Sequence, residues 1–390
     1  MIPFARVLMY GNIIAPPAGM RKINSYGLGH LFLSTDDKLY AYGENNASRF
    51  GSGSSDAITG GVAKLVLDGV AMIYCHPAYT ICLMKDGSFK AAGNLGIFGL
   101  GIQLSFVDVS AIFAPVGDVV KVVITRRAVP GNSTVYALNS TGVLYAMGSN
   151  NRGQMGNGSA GSIGSFVQIN TDCKDVVSCN YETVVVLKNN NTAWFCGNYG
   201  LTAGSSDIKV FTDIGDTNIL TINSDGYGGC LLYTKSNGLY IRGLVNAMYG
   251  LTFTTGAQES NRLAVLPFTF NASTFRYWTD PEGQLQSCWI QNSSTGLRYG
   301  TGSSSIGRLG FKVESASGLS FQEQDIELPE GIVVQSISSG NQYSAIIGSD
   351  GIVYGSGAFS GFGSFTGEQL VNFPSSNPTL YHYTKIGLGI

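Results

Sequence analysis

The fold of this chain is decided by one stretch of its sequence, Thr141-Gly-Val-Leu-Tyr-Ala-Met-Gly-Ser-Asn-Asn-Arg-Gly-Gln-Met-Gly-Asn-Gly158. A turn at Gly142 separates the apolar run that ends at Leu138 from a second apolar run that contains Tyr145. A loop rich in glycine and asparagine begins at Gly148, and such residues interrupt regular structure. The stretch therefore predicts a strand, a tight turn, a second strand, a loop and then a further strand.

The same pattern occurs seven times along the chain, at intervals of roughly 50 residues. Each copy has an anchor glycine at the position of Gly148, and six of the seven have an aromatic residue three positions earlier. The anchor glycines are Gly43, Gly93, Gly148, Gly197, Gly243, Gly302 and Gly357. Six copies have a turn residue six positions before the anchor: Asp37, Gly87, Gly142, Asn191, Gly296 and Gly351. Such residues accept the positive φ of a hairpin tip.

A single unit of this size cannot bury both faces of its sheet, so neighbouring units must stack. Seven stacked sheets close into a ring, with small glycines where the sheets crowd the axis. The sequence therefore predicts an all-β fold, a seven-bladed β-propeller.

The third unit resembles the repeat of the regulator of chromosome condensation family, whose hallmark runs D-G-x-V-Y-x-W-G-x-N-x-x-G-Q-L-G-x-G. The first and sixth units keep the glycine eight positions after the anchor, at Gly51 and Gly310. The resemblance covers residues 20–390 and implies a rigid disc that recognises proteins through its loops. The family includes exchange factors for a small GTPase, ubiquitin-ligase scaffolds and a secreted inhibitor of β-lactamases. No residue here matches a contact residue of the exchange factors.

The two ends of the chain both resemble parts of the repeat. The segment 384–390 is similar to the start of a unit, and the segment 4–12 is similar to its strand-plus-glycine half. One interpretation is that terminal strands close the ring by completing a blade, which leaves no exposed edge. The alternative is that residues 1–20 dock the disc onto a partner. We therefore divide the chain into an N-terminal segment, 1–20, and a propeller, 21–390, closed by terminal strands.

Composition excludes several classes of protein. Of 390 residues, 53 are glycine, 44% are hydrophobic and 12% are charged, which predicts a folded core rather than a disordered chain. The net charge of −2 provides no basic excess, so we expect no nucleic-acid partner. No apolar run reaches the roughly 18 residues of a membrane helix, so we expect no membrane insertion.

The sequence contains no recognisable catalytic motif, and we expect no enzyme activity, cofactor or metal. Its seven cysteines form no C-x-x-C pair, which predicts buried free thiols. Two acidic pairs, Asp280 with Glu282 and Glu323 with Asp325, leave a glycan-cleaving alternative open. Their polar flanks favour solvated loops.

Low charge, abundant glycine, serine, threonine and asparagine, and the absence of a secretory signal favour a protein made in a bacterial cytoplasm and released by lysis. The opening, residues 1–12, also resembles those of bacteriophage tail-associated proteins. We therefore expect a virion protein of a phage tail that binds a host surface receptor, protein or glycan, or neighbouring virion proteins. The alternatives are a cytoplasmic protein-interaction propeller, similar to exchange-factor or inhibitor scaffolds, and a glycan-binding or glycan-cleaving propeller.

The candidate binding residues lie in segments that depart from the repeat, because the scaffold does not require their sequence. One segment contains Arg126 and Arg127, and the other contains Phe275, Tyr277 and Trp278. Arginine and aromatic side chains dominate the binding energy of protein interfaces. The alternative for the three aromatic residues is a strand packed in the core. We do not expect the central channel to bind a ligand, since packing explains its small residues.

Overall fold

A computed structural model shows seven four-stranded antiparallel sheets arranged as the blades of a propeller. The structure describes residues 19–26, 29–59, 62–125, 133–179, 182–198, 207–224, 230–243, 261–279, 287–292, 294–295, 298–302, 319–323, 333–339, 343–358 and 379–386. Their regular elements are 28 strands, one four-residue α-helix and two 3-10 turns. The predicted all-β seven-bladed propeller is confirmed.

The first four blades follow one another along the chain. Blade 1 contains β1 (Met20–Tyr26), β2 (Gly29–Ser34), β3 (Leu39–Gly43) and β4 (Lys64–Leu67). Blade 2 contains β5 (Val70–His76), β6 (Tyr79–Met84), β7 (Phe89–Asn94) and β8 (Ile102–Asp108). Blade 3 contains β9 (Val119–Ile124), β10 (Thr134–Asn139), β11 (Leu144–Gly148) and β12 (Ile163–Asn170). Blade 4 contains β13 (Cys173–Cys179), β14 (Thr183–Lys188), β15 (Ala193–Gly197) and β16 (Ile208–Asp213).

The last three blades complete the ring. Blade 5 contains β17 (Thr221–Ser224), β18 (Cys230–Lys235), β19 (Gly238–Gly243) and β20 (Arg262–Leu263). Blade 6 contains β21 (Phe275–Thr279), β22 (Ser287–Asn292), β23 (Arg298–Gly302) and β24 (Leu319–Glu323). Blade 7 contains β25 (Val334–Ser339), β26 (Tyr343–Gly348), β27 (Val353–Ala358) and β28 (Thr379–Ile386). The helix α1 (Ser110–Phe113) lies between blades 2 and 3, and the 3-10 turns are Asn46–Ser48 and Gly96–Phe98.

The second strand of a blade is apolar on both faces, because each blade is covered by a neighbour on either side. All six residues of β2 are buried, as are the first five of β10 and of β14. Continuous apolar runs of β-branched and aromatic residues suit such strands. The outer strand β8 contains no buried residue. The hydrophobic core is therefore a set of layers between blades.

Four hairpin tips, those of blades 1, 3, 4 and 7, hydrogen-bond to the blade that follows them. The backbone bonds are Val70 N to Asp37 O (2.8 Å), Cys173 N to Gly142 O (2.9 Å), Ile219 N to Asn191 O (2.9 Å) and Met20 N to Gly351 O (2.9 Å). All four acceptor residues have positive φ, between 61° and 79°, as the repeat predicts. The left-handed conformation of the tip thus aims its carbonyl oxygen at the next blade.

The ring closes where the first and last blades meet. Besides the bond from Met20 to Gly351, the backbone N–H of Ser25 donates to Ser338 Oγ at 2.9 Å. Every described sheet consists of four consecutive strands, and none of them combines the two chain ends. The segment 4–12 lies outside the described residues, so its part in closing the ring stays a prediction. The described contact between blades 7 and 1 therefore includes the same tip bond as three other junctions. Residues 1–18 lie outside the described residues, and their docking role stays a prediction.

The anchor glycines allow a backbone conformation and a close approach that a side chain would prevent. Gly43, Gly93, Gly148, Gly197 and Gly243 have φ between 90° and 109°. Gly302 and Gly357 end or nearly end the third strands of their blades, β23 and β27. A Cβ atom on Gly197 would lie 1.9 Å from the carbonyl oxygen of Glu182, which accepts the N–H of Asn198 at 3.0 Å. This position therefore requires glycine.

Candidate functional site

The antiparallel order of the sheets gives the disc two different faces. The tip face carries the turns between second and third strands and the connections between blades. In the described part of the chain these are 35–38, 68–69, 85–88, 109–118, 140–143, 171–172, 189–192, 214–220, 236–237, 264–274, 294–295, 333 and 349–352. The loop face carries the remaining connections. Its described residues are 44–59, 62–63, 77–78, 95–101, 125, 133, 149–162, 182, 198, 207 and 261.

The longest described loop-face connections contain the residues that carry the family resemblance. In blade 3, the Asn150 side chain holds the loop together, since its Oδ1 accepts the N–H of Met155 at 2.9 Å. Its Nδ2 donates to Ser159 O at 3.2 Å. Met155 is fully buried in the layer between blades 3 and 4. The Asn150 side chain thus stabilises a loop conformation in which Met155 fills the space between blades 3 and 4.

The end of this loop reaches the outer strand of the next blade. Gly158 N donates to Lys209 O of β16 at 2.8 Å. Gly156, with φ of 65°, lies so close to Phe211 that a Cβ atom would be 2.5 Å from the ring. We call residues 149–159 the blade 3 clasp, because they fasten blade 3 to the edge of blade 4.

Blade 1 has an equivalent clasp, residues 44–54. Asn45 Oδ1 accepts the N–H of Phe50 at 2.9 Å, and Gly53 N donates to Leu104 O of β8 at 2.9 Å. Phe50 is fully buried, as Met155 is in blade 3. Isolated antiparallel bridges continue both contacts, from Ser52 to Ser105 and from Asn157 to Val210. The hallmark sequence therefore joins neighbouring blades.

A small group of charges lies on the loop face beside the blade 3 clasp. The Arg152 guanidinium, whose side chain is 48% exposed, lies 3.5 Å from a carboxylate oxygen of Glu182 and 3.8 Å from one of Asp207. Asn198 Nδ2 donates to Asp207 at 2.5 Å. Exposed pairs of this kind contribute little to stability, about 0–1 kcal/mol. The carboxylates are less exposed than Arg152, so the guanidinium is the member of the group most available to a binding partner.

The inner strands are joined around the central channel by polar side chains. Lys22 Nζ of β1 donates to Ile73 O of β5 at 3.2 Å, and burial lowers the pKa of this ammonium group. Lys121 of β9 forms an ion pair of 2.5 Å with Asp175 of β13. These side chains therefore contribute to the contacts between neighbouring blades.

The three aromatic candidates lie on the inner strand β21. Phe275 is 5% exposed and packs in the layer between blades 5 and 6. Tyr277 is half-buried in that layer, and its hydroxyl oxygen lies 3.3 Å from Thr221 Oγ1. Trp278 is half-buried and packs against the apolar cluster of blade 7 that contains Val334, Ile346 and Tyr354. The structure thus gives them the strand-and-core role that the sequence left as an alternative, and binding by them stays a prediction.

The arginine candidates, Arg126 and Arg127, lie outside the described residues. The connection that contains them joins Thr125, after β9, to Ser133, before β10, and both of these residues are buried at the loop face. Thr125 and Ser133, which flank the arginine candidates in the chain, therefore lie at the same face as the clasps and Arg152, whereas the aromatic candidates lie on an inner strand. The sequence did not identify Arg152, Glu182 or Asp207 as a group.

All seven cysteines lie within the described residues as thiols outside disulfides; six of them are buried, and Cys75 is half-buried. Burial raises the pKa of Cys173 to about 11 and that of Cys288 to about 12. A buried thiol with a raised pKa reacts slowly, because the thiolate is the nucleophile. We expect a thiol reagent at neutral pH to modify at most one cysteine, Cys75, in the native protein and all seven after denaturation. Rapid reaction of several thiols in the native protein would contradict this.

Within the described part of the chain, no group of three or more His, Cys, Asp or Glu side chains is arranged to hold a metal ion. The described helices are also all too short or too polar to cross a membrane.

The fold has relatives among solved structures. Human WBSCR16 superposes with a TM-score of 0.63 at 16% sequence identity, over 90% of this chain and 94% of the human chain. Yeast RCC1 (Prp20), in a crystal structure with bound Kap60, gives a TM-score of 0.45 at 12% identity, over 94% of this chain and 74% of the yeast chain. No family model matches the chain. The likeness to WBSCR16 shows the propeller fold, and identities this low show nothing further.

Proposed function

We propose that this protein is a non-enzymatic interaction scaffold that binds another protein with its loop face. The observation that carries the proposal is the unequal use of the two faces. Tip carbonyls at Asp37, Gly142, Asn191 and Gly351 are occupied by bonds to the next blade. The loop face instead carries the longest described connections and the exposed Arg152 group. Variable connections on a rigid disc are the usual place for recognition.

The rigidity of the disc supports the proposal, because a pre-formed surface loses little conformational freedom on binding. Two clasps, four tip bonds and the inner-strand contacts fasten the blades to one another. Arg152 provides an exposed, forked donor for a partner's carboxylates or carbonyl oxygens. The partner is therefore expected to contribute acidic or carbonyl groups at this position.

Binding to a phage particle is a finer form of the same proposal, and a cytoplasmic partner is its alternative. Both use the loop face of the same scaffold. Mass spectrometry of purified phage particles separates them: peptides of this chain in the particle support the virion form, and their absence supports the cytoplasmic one.

The double variant Arg126→Ala, Arg127→Ala and the single variant Arg152→Glu test the loop face. We expect each to weaken partner binding by about 1–3 kcal/mol if it removes an interface hot spot. The partner is first captured from the native source with the wild-type chain, and its affinity for each variant is then measured by calorimetry. The matched control is Lys85→Glu, which reverses an exposed charge on the tip face. A loss of affinity in the control, with none in the loop-face variants, would contradict the proposal.

A further inference from the structure

The outer strand of blade 3 is an exception to a contact that its neighbours share. β8 and β16 are each covered at the loop-face end by the clasp of the preceding blade, through Leu104 O and Lys209 O. No described residue makes the corresponding bond to β12. Its outer edge is therefore uncovered by the part of the chain that the structure describes.

The register of the sheets identifies the equivalent residues on the three outer strands. The anchor glycines pair with Gln103 in β8, Ile163 in β12 and Ile208 in β16. The next residues along the three strands are Leu104, Gly164 and Lys209. The blade 1 clasp donates to Leu104 O, and the blade 3 clasp donates to Lys209 O. Gly164 O is therefore the position of the acceptor on β12. A phenylalanine follows two residues later on every strand: Phe106, Phe166 and Phe211.

The edge is uncovered because blade 2 has a short connection in place of a clasp. Residues 95–101 join β7 to β8, whereas 44–63 and 149–162 join the corresponding strands of blades 1 and 3. Ile97 from this short connection reaches the anchor glycine of blade 3, where a Cβ atom would lie 2.9 Å from its Cδ1. The connection thus fills the gap between blades and does not extend along β12.

At the junction between blades 2 and 3, aromatic side chains fill the part of the core that clasp residues fill at the clasped junctions. Phe113 of α1 lies 5.0 Å from Phe166 and 4.0 Å from Phe89, measured between ring centroids. In the clasped junctions the equivalent rings, Phe106 and Phe211, contact a clasp glycine instead. The core is therefore closed at this junction, while the backbone at Gly164 and Ser165 is exposed and a Cβ atom on Gly164 would meet nothing within 4 Å.

We propose that the outer edge of β12, at Gly164 and Ser165, binds an extended segment of a protein partner by antiparallel β-pairing. The chain itself shows the chemistry of the occupant, because the two equivalent edges each hold a short segment through one antiparallel bridge and one glycine N–H donor. In β-strand addition, backbone hydrogen bonds provide the affinity. The exposed apolar residues Leu100 and Ile102, at the loop-face end of β8, favour a partner segment with an apolar residue beside its glycine.

This proposal rests on the proposed interaction role and names a second contact surface for it. An edge strand presents unpaired backbone groups, which proteins usually cover or protect. Residues 163–170 include no charged side chain. The partner segment is therefore selected by its backbone and its small residues rather than by charge.

A peptide with the sequence of the blade 3 clasp, residues 152–159, is the probe. We expect the fluorescently labelled peptide to bind the full chain saturably, as measured by anisotropy. N-methylation of the peptide nitrogen at the position of Gly158 removes the donor to Gly164 O. Loss of this bond is expected to weaken binding about tenfold. Equal affinity of the methylated and unmethylated peptides would overturn the proposal.

The protein variant Gly164→Pro tests the same edge from the other side. In an antiparallel strand the N–H and C=O groups of one residue point the same way, so the ring of a proline at Gly164 lies on the outward edge, beside the acceptor Gly164 O, where it obstructs a pairing segment and leaves the ladder to β11 intact. We expect about a tenfold loss of peptide affinity, whereas Gly161→Pro, outside the strand, keeps wild-type affinity. Unchanged affinity of Gly164→Pro would overturn the proposal. If Gly164→Pro fails to fold, the peptide comparison decides.

Two outcomes separate this proposal from its alternatives. Sedimentation that shows a dimer of the wild-type chain, and a monomer for Gly164→Pro, would make a second copy the occupant and overturn the choice of a different protein. Failure of peptide binding, with loop-face arginine variants still impaired in partner binding, would reject the β12 site and leave the proposed function standing. Peptide binding, together with arginine variants that bind the partner normally, would support the β12 site and count against the proposed loop-face function.

Discussion

Gly197→Ala is expected to lower the free energy of unfolding by about 3 kcal/mol or more. The backbone at this anchor has φ of 106°, a conformation that alanine rarely adopts. The new Cβ atom would also lie 1.9 Å from the carbonyl oxygen of Glu182, a backbone atom that cannot move aside cheaply. Urea unfolding followed by tryptophan fluorescence measures the loss.

The matched control is Gly161→Ala. Gly161 is exposed, and a Cβ atom on it meets nothing within 4 Å. We expect its stability to stay within about 0.5 kcal/mol of the wild type, as for most surface substitutions. Equal stability of the two alanine variants would mean that the anchor glycines are not required by the backbone.

Trp289→Ala is expected to destabilise the protein by about 3–5 kcal/mol. Trp289 lies in the middle of β22, is 2% exposed and is the largest fully buried side chain in the described part of the chain. Its removal leaves a cavity that the rigid neighbouring strands cannot fill. Thermal or urea unfolding reports the change.

Two further substitutions separate cavity formation from other effects. Trp289→Phe keeps most of the volume and removes an indole N–H that has no hydrogen-bond partner among the described residues. It should therefore cost less than about 1.5 kcal/mol, as volume-conserving changes do. Trp278→Ala, at a half-buried position, should lower the free energy of unfolding by an amount between those of Trp289→Ala and Trp289→Phe. If Trp289→Ala were no more damaging than Trp289→Phe, blade 6 would not be packed as described.

The fold was predictable because the repeat records backbone requirements directly. A residue at a hairpin tip must adopt positive φ, and an anchor must leave room for a carbonyl oxygen. Both requirements appear in the sequence as glycine or asparagine at fixed spacing, as at Gly142, Asn191 and Gly197. Seven copies of this spacing in the sequence give seven blades.

The site was less predictable, because the residues that depart from the repeat do so for different reasons. Phe275 and Trp278 were predicted to lie in a divergent loop, yet they occupy an inner strand, where Phe275 is buried beside blade 5 and Trp278 is half-buried beside blade 7. The sequence of residues 275–278 does not show which neighbouring blade covers this segment. The grouping of Arg152 with Glu182 and Asp207 likewise depends on the contact between blades 3 and 4.

The closure of the ring and the open edge of β12 also required the structure. The sequence showed that the chain ends resemble a repeat, but it did not show that blades 1 and 7 are each complete. The short connection of blade 2 is visible in the sequence between Gly93 and Ile102. Its consequence for Gly164 follows only from the register of β12.

The central claim, that the loop face binds the partner, is tested most directly by cross-linking the captured complex with a lysine-reactive reagent. Lys64 and Lys209 are exposed at the starts of β4 and β16, at the loop-face ends of these strands. Lys38 and Lys85 lie in hairpin tips of the opposite face. We expect mass spectrometry to find cross-links from the partner to Lys64 or Lys209 and none to Lys38 or Lys85. Cross-links confined to Lys38 and Lys85 would contradict the account.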